Sequence, residues 1–335
     1  MAKGKTILLP LLFFVALLIC MMIAASIGVV SVPVDGIFQI IGFKLGIIKE
    51  SALPQNILLT IWELRLPRIF MSVLAGAALA ACGAAFQSIF RNPICDPYIL
   101  GISSGASLGA AVAFILGWDM LFFGITLPAL VTALLTLFLI VGIARLGKSK
   151  NPEKLLLTGI AINFLISAVI TLLIVVNEKE MSRIIYWTMG SFATTTWREV
   201  MLLVPVMLIT VFPLFYYARD LNIMQMGNDT ARTLGVNTRQ VTMTVLIFSS
   251  LLIATVVSMC GVIGFIGLII PHIVRMIFGN HNRKLFLYSL FFGAFFMLLA
   301  DTLARTIAVP SELPVGSITA IAGAPYFIYL LLKTK

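Results

Sequence analysis

Few residues of this chain have the type and spacing that chemistry needs. Gly101-Ile-Ser103-Ser-Gly105 matches the G-x-S-x-G turn that presents a nucleophilic serine. That turn needs a strand–turn–helix context and a histidine base nearby. Here it lies in a small-residue apolar stretch, with His272 far away in sequence. His272 stands one helical turn from Arg275, without a carboxylate or cysteine partner, which makes a poor metal set. The four cysteines, Cys20, Cys82, Cys95 and Cys260, show no paired spacing and read as small buried side chains. Gly4-Lys5-Thr6 imitates the end of a phosphate-binding loop but lacks its upstream glycine. No H-E-x-x-H or paired-aspartate motif occurs within the apolar segments. The expectation is no catalytic residue, no metal ligand and no cofactor.

The elements carrying these residues belong to a bilayer. Of 335 residues 61% are hydrophobic and 11% charged, with mean hydropathy +1.11. A soluble domain carries about 25% charged residues. The net charge of +10 does not imply nucleic acid, because the basic residues cluster at the ends of apolar segments, where they set topology. Lys3 and Lys5 precede an apolar run from Ile7 to Val30, longer than the roughly 7–15 residues of a signal-peptide core. It reads as a retained first span.

Ten spans are expected, at 7–31, 66–90, 96–115, 121–144, 155–176, 199–217, 241–261, 264–279, 285–304 and 315–332. The third and eighth are short, and the eighth contains Pro271, features that commonly lie beside a transport path. Residues 32–64 read as an external loop too polar to span, and 184–198 as a short interfacial helix carrying Trp187 and Trp197. Fifteen of the 23 Lys and Arg residues fall on the side that holds both termini, which makes that side cytoplasmic.

The most informative stretch is Arg65–Gly109. Arg65 and Arg68 flank Leu66-Pro67, and between Ile69 and Ile89 only Gln87 is strongly polar. Gly76, Ala80 and Ala84 recur every four residues, as do Gly101, Gly105 and Gly109, so helix backbones can approach closely. Arg91-Asn92-Pro93 then breaks the helix, and irregular backbone at such a boundary requires protein or water to satisfy it. A shift of 178 residues pairs Cys82-Gly83 with Cys260-Gly261 and Pro93 with Pro271, a weak repeat whose copies run in opposite directions. Within the long connection 218–240, Asn228 or Asp229 is expected to cap a two-turn helix that Gly235 stops. Asp301 and Arg305, four apart, are expected to pair and leave Arg305 partly available outside. Arg65, Arg68 and Arg305 all fall at external helix ends, where snorkelling alone would account for them.

Arg65-Leu-Pro-Arg68, Arg91-Asn92-Pro93, the run from Gly261 through Gly267 to Pro271-His272 and Arg275, and Asp301…Arg305 with Glu312-Leu-Pro314-Val-Gly316 occur together in this chain. Together they resemble the permease family of bacterial ABC importers for iron-siderophores, haem and vitamin B12. The resemblance implies an all-α polytopic fold of about ten transmembrane helices with an inverted repeat, the type II importer fold, as one transmembrane domain over 1–335. It implies a homodimer around a central path in the bacterial inner membrane, two separate ABC ATPase subunits, and a substrate-binding protein on the outside. ATP hydrolysis would belong to the partners, so the chain itself is no enzyme. By the same resemblance Arg65, Arg68 and Arg305 receive the binding protein. Gly227, Asn228, Asp229, Ala231, Arg232, Leu234, Gly235 and Val236 form the helix that couples to the ATPase, and Asn92, Pro93 and Ile94 narrow the path. Asn151-Pro152-Glu153 stands where the family has another gate, with different residue types. The resemblance implies a metal chelate as cargo, ferric siderophore first, with haem, cobalamin or an oxyanion behind it. An ion-coupled secondary transporter is the alternative, and it would need ionisable groups at mid-membrane, for which Asp301 is the candidate.

Overall fold

The computed structural model describes residues 2–28, 32–48, 54–121, 123–146 and 153–333, and among these every regular element is helical. In chain order the α-helices are α1 (Ala2–Ser26), α2 (Val34–Lys44), α3 (Gln55–Leu59), α4 (Leu66–Phe90), α5 (Ile102–Ile115), α6 (Thr126–Leu146), α7 (Glu153–Val176) and α8 (Met181–Thr188). They continue with α9 (Trp197–Tyr216), α10 (Ala218–Met224), α11 (Asn228–Thr233), α12 (Thr238–Cys260), α13 (Ile266–Phe278), α14 (Asn282–Ala304) and α15 (Val315–Lys333). Seven helices among the described residues are long and apolar enough to cross a bilayer, and Ile102–Ile115, Ile266–Phe278 and Val315–Tyr329 are shorter apolar ones. These ten segments fall on the ten expected spans. The third and eighth are short as expected, and the tenth joins them.

Helix α4 is the centre of the bundle. The apolar window that contains it is 83% buried, against 11% for that of α7. It packs on α14, α13, α12 and α9. Small residues make this possible. A Cβ on Gly76 would lie 2.2 Å from the Gly293 carbonyl oxygen, and one on Gly83 would lie 1.9 Å from that of Gly267. Lipid gives helices no hydrophobic drive to associate, so close backbone packing has to supply the attraction.

Two expectations need correction. The external loop at 32–64 is partly helical. It contains α2 and α3, and α3 runs through a π-helical stretch at Thr60–Arg65 directly into α4, so the apolar helix spans Gln55–Phe90. Pro67 sits in the first turn of α4, where its missing N–H is tolerated, and the widened π-turn before it absorbs the change of register. The interfacial helix expected over 184–198 is α8, ending at Thr188. Gly190, at φ 72°, then turns the chain where a Cβ would lie 2.5 Å from the Val262 carbonyl oxygen. Trp197 opens α9 instead, behind a reciprocal cap between Thr196 and Glu199.

Candidate functional site

The three expected docking arginines meet at one end of the bundle, with their guanidinium groups turned inward. Arg65, Arg68 and Arg305 are 8%, 7% and 7% exposed. Helix α1 ends here, and the last carbonyls of a helix lack internal partners while its C-terminus attracts cations. Arg65 Nη1 donates to the Ala25 carbonyl at 2.7 Å, and Arg305 donates to the carbonyls of Ile27 (2.7 Å) and Ala24. Arg68 Nε donates to Asp301 at 2.9 and 3.1 Å, and its Nη1 to Glu312 at 2.7 Å. The expected Asp301–Arg305 pairing is therefore secondary. Arg305 Nε stands 4.0 Å from Asp301, and the carboxylate is held by Arg68 from another helix. Arg305 is not left available outside. The nearby Trp197 indole donates to the Trp62 carbonyl at 2.7 Å, fixing the start of α9 to the π-turn.

The other expected constellations meet at the opposite end of α4. Arg91 ends that helix in the left-handed region, φ 49°, and its guanidinium donates to the Asn228 side chain on α11. Asn92 Oδ1 accepts from the Ile94 N–H at 3.0 Å, a side-chain turn that holds Pro93 between them. Pro93 and Ile94 are exposed. Helix α11 is punctuated as expected, with one correction at its start. Gly227 (φ 125°), rather than Asn228 or Asp229, precedes the first helical residue, because Asn228 is engaged by Arg91. Gly235 (φ 83°) closes it, and Asp229 faces Arg232 at 3.8 Å. Ala231 and Val236 bury against the core, whereas Leu234 is 61% exposed. Ser88 and Asn222 both bond Asn282, so the ends of α4 and α10 and the start of α14 are fastened together. Of Asn151-Pro152-Glu153, the first two lie outside the described residues, as does the Glu153 side chain.

Two irregular segments enter the bundle and meet. Residues 91–101 follow α4, and 261–265 separate α12 from α13. Tyr98 OH donates to the Ile263 carbonyl at 2.9 Å, and a Cβ on Gly267 would lie 2.8 Å from Pro97 Cγ. Gly267 also abuts Gly83 in the interior of α4, so the segment after α4 folds back among the helices. Beside this junction lies a cavity of about 400 Å³ that the sequence reading missed, lined by Ser103, Ser104, Ser107, Asn163, Ser167 and Thr171 among others. Its signal was present. Asn163, Ser167 and Thr171 recur every four residues along α7, a polar stripe in an otherwise apolar helix.

Seven helices long and apolar enough to cross a bilayer, with shorter apolar companions and irregular segments meeting inside, define a polytopic membrane protein among the described residues. The chain belongs to the FecCD transport family, which it matches over residues 16–333. It is 39% identical over 327 residues to the uncharacterised ABC transporter permease protein YvrB of Bacillus subtilis (strain 168), covering 96% of this chain and 92% of that one. It is 35% identical over 341 residues to the iron(3+)-hydroxamate import system permease protein FhuG of the same organism, covering 99% and 98%. A solved structure, described as an inward-facing conformation of a metal-chelate type ABC transporter, matches it with TM-score 0.84 and 30% identity over 97% of this chain and 99% of that one. The chain is thus a membrane permease of the metal-chelate ABC importer type, a transport subunit rather than a catalytic one.

Proposed function

We propose that two copies of this chain form the path of an ATP-driven importer for a metal chelate, ferric siderophore first. Two separate ATPase subunits bind at the α11 end, and a substrate-binding protein docks at the arginine end. The side bearing α11 is cytoplasmic and holds both termini, in the inner membrane, as the distribution of Lys and Arg favours.

One observation carries this reading. A short helix stopped by glycines exposes Leu234, and the same helix is hydrogen-bonded through Asn228 to Arg91, the residue that opens the Asn92-Pro93-Ile94 break. A partner that moves α11 therefore pulls on the segment proposed to narrow the path. Gly227, Asp229, Ala231, Arg232, Gly235 and Val236 give the helix its shape, and Leu234 supplies the apolar contact. At the other end, Arg65, Arg68 and Arg305 fasten α1, α4 and α14 into the docking rim. Glu312 occupies the Arg68 nitrogen that a carboxylate of the binding protein would take.

The test is Leu234→Asp. The variant should insert normally, since this side chain touches solvent, yet fail to co-purify with the ATPase. ATPase recovery at the wild-type level would overturn the assignment of α11.

A further inference from the structure

Among the described residues, Arg91 (φ 49°) and Phe265 (φ 69°) are the two besides glycine held in the left-handed region. Each bounds one of the irregular segments that meet inside the bundle. Residues 91–101 run from Arg91 to Gly101 (φ 70°), and 261–265 from Gly261 (φ 72°) to Phe265. A side chain disfavours this conformation, and backbone held in it collects at segments that switch. The surrounding helices leave little else to move. Helix α4 lies backbone to backbone against Gly293 of α14 and Gly267 of α13, so neither contact can slide without opening a packed face.

The two segments are tied to opposite ends of the bundle. The first begins at Arg91, which bonds Asn228 of α11. The second is stitched to the residues that follow α8, the short helix before the Trp197 that bonds Trp62 at the arginine end. The Ser191 N–H donates to the Cys260 carbonyl at 2.8 Å, and a Cβ on Gly261 would lie 2.2 Å from the Trp187 carbonyl oxygen. The start of α15 joins the same knot, since the Val315 N–H donates to the Gly190 carbonyl at 3.1 Å.

One hydrogen bond among the described residues joins the two segments, from Tyr98 OH to the Ile263 carbonyl at 2.9 Å. Ile263 is fully buried. Asp96 fixes the other partner, its carboxylate accepting from the Tyr98 N–H at 2.8 Å at the start of the 3-10 turn Pro97–Leu100. We propose that Tyr98 is a positioning residue that couples α11 to α8, an inference that rests on the importer reading above. A partner that moves α11 draws on residues 91–101 through Arg91. The phenol passes that displacement to Ile263, and the knot at Gly261 passes it to the end of α8. Coupling of binding free energies is reciprocal, so a protein docked at the arginine end acts on α11 through the same bond.

The test uses the assembled importer, permease with its ATPase and binding protein, in nanodiscs. Cys20, half-exposed where the other three cysteines are buried, is replaced by serine, and Tyr186→Cys on the exposed side of α8 carries a nitroxide. Pulsed EPR reads the distance between the α8 helices of the two copies, without nucleotide and with vanadate-trapped ADP. This background should show a shift between the two states. Tyr98→Phe keeps the ring and should lose most of the shift. Trapped nucleotide should also change affinity for the binding protein about fivefold less than in the background, the factor that roughly one neutral hydrogen bond sets on an equilibrium. Asn228→Ala, which cuts the same line at α11, should lose the shift likewise. Thr210→Val, which removes a buried hydroxyl bonded within α9, should keep it. A full shift in Tyr98→Phe, an equal loss in Thr210→Val, or a background whose α8 helices stay in place when nucleotide is trapped would each overturn the relay. A chain that binds no ATPase, or gives no distance between α8 helices, would instead overturn the importer reading itself.

Discussion

Arg68 and Asp301, 233 positions apart, form a two-pronged ion pair, Nε donating to both carboxylate oxygens at 2.9 and 3.1 Å. Asp301 is fully buried, and the pair joins the first turn of α4 to the last turn of α14. Such pairs add little net stability, yet removing one partner strands a buried charge at about 3–5 kcal/mol. Asp301→Ala leaves Arg68 with the half-exposed Glu312 as its acid, so it should lose about 1–3 kcal/mol in chemical unfolding from bicelles. Replacing Arg68 and Asp301 together by leucine should recover most of it. A double variant as unstable as Asp301→Ala would show that the pair acts otherwise.

The neighbouring contact tests docking. Glu312, 46% exposed, holds Arg68 Nη1 at 2.7 Å. Arg68→Glu would place a third acid beside Asp301 and Glu312, so it tests folding more than docking. Glu312→Gln keeps the shape and frees the guanidinium for an incoming carboxylate. Affinity for the binding protein should rise by about 0.2–1 kcal/mol, the range of an exposed pair, and fall more steeply with salt. Unchanged affinity and salt dependence would leave the three arginines as helix fasteners alone.

Arg91→Gly separates strain from coupling. A left-handed residue other than glycine costs about 1–2 kcal/mol, which glycine would relieve. The same change removes the bond to Asn228. The variant should be slightly more stable and still bind the ATPase through Leu234, but import less chelate per ATP hydrolysed. Full coupling would show that the α11 link does not transmit motion.

Close backbone contact at the centre predicts a sharp contrast between two glycines. Gly76→Val must displace the Gly293 backbone and should abolish folded expression, whereas Gly142, with open space around its Cβ position, should accept alanine unnoticed. Comparable monodisperse yield of both variants would contradict the packing described for α4 and α14.

The span pattern was legible because apolar runs and their glycine stripes are local features. So was the glycine stop of α11 at Gly235, since turn chemistry lies within a few residues, whereas its start after Gly227 was not, because Asn228 bonds Arg91 from a distant segment. The partners of the arginines were not legible. Arg68 finds Glu312 and Asp301, and Arg305 finds Ala24 and Ile27, through tertiary packing between distant helices. The i, i+4 rule favoured Asp301 with Arg305 because it sees only one helix. The helix upstream of Arg65 was missed because 32–64 read as too polar to span, and the π-turn at Thr60–Arg65 that joins α3 to α4 leaves no clear signature. The polar stripe of α7 was readable, but three residues spread over two turns stand out only once α5 is packed against them.

The importer account stands or falls on its energy source. Uptake of chelate into proteoliposomes that contain this permease, its ATPase and its binding protein should require ATP hydrolysis and persist when proton and sodium ionophores collapse every ion gradient. Uptake that continues without ATP and stops with the ionophores would contradict the account and make the chain an ion-coupled carrier.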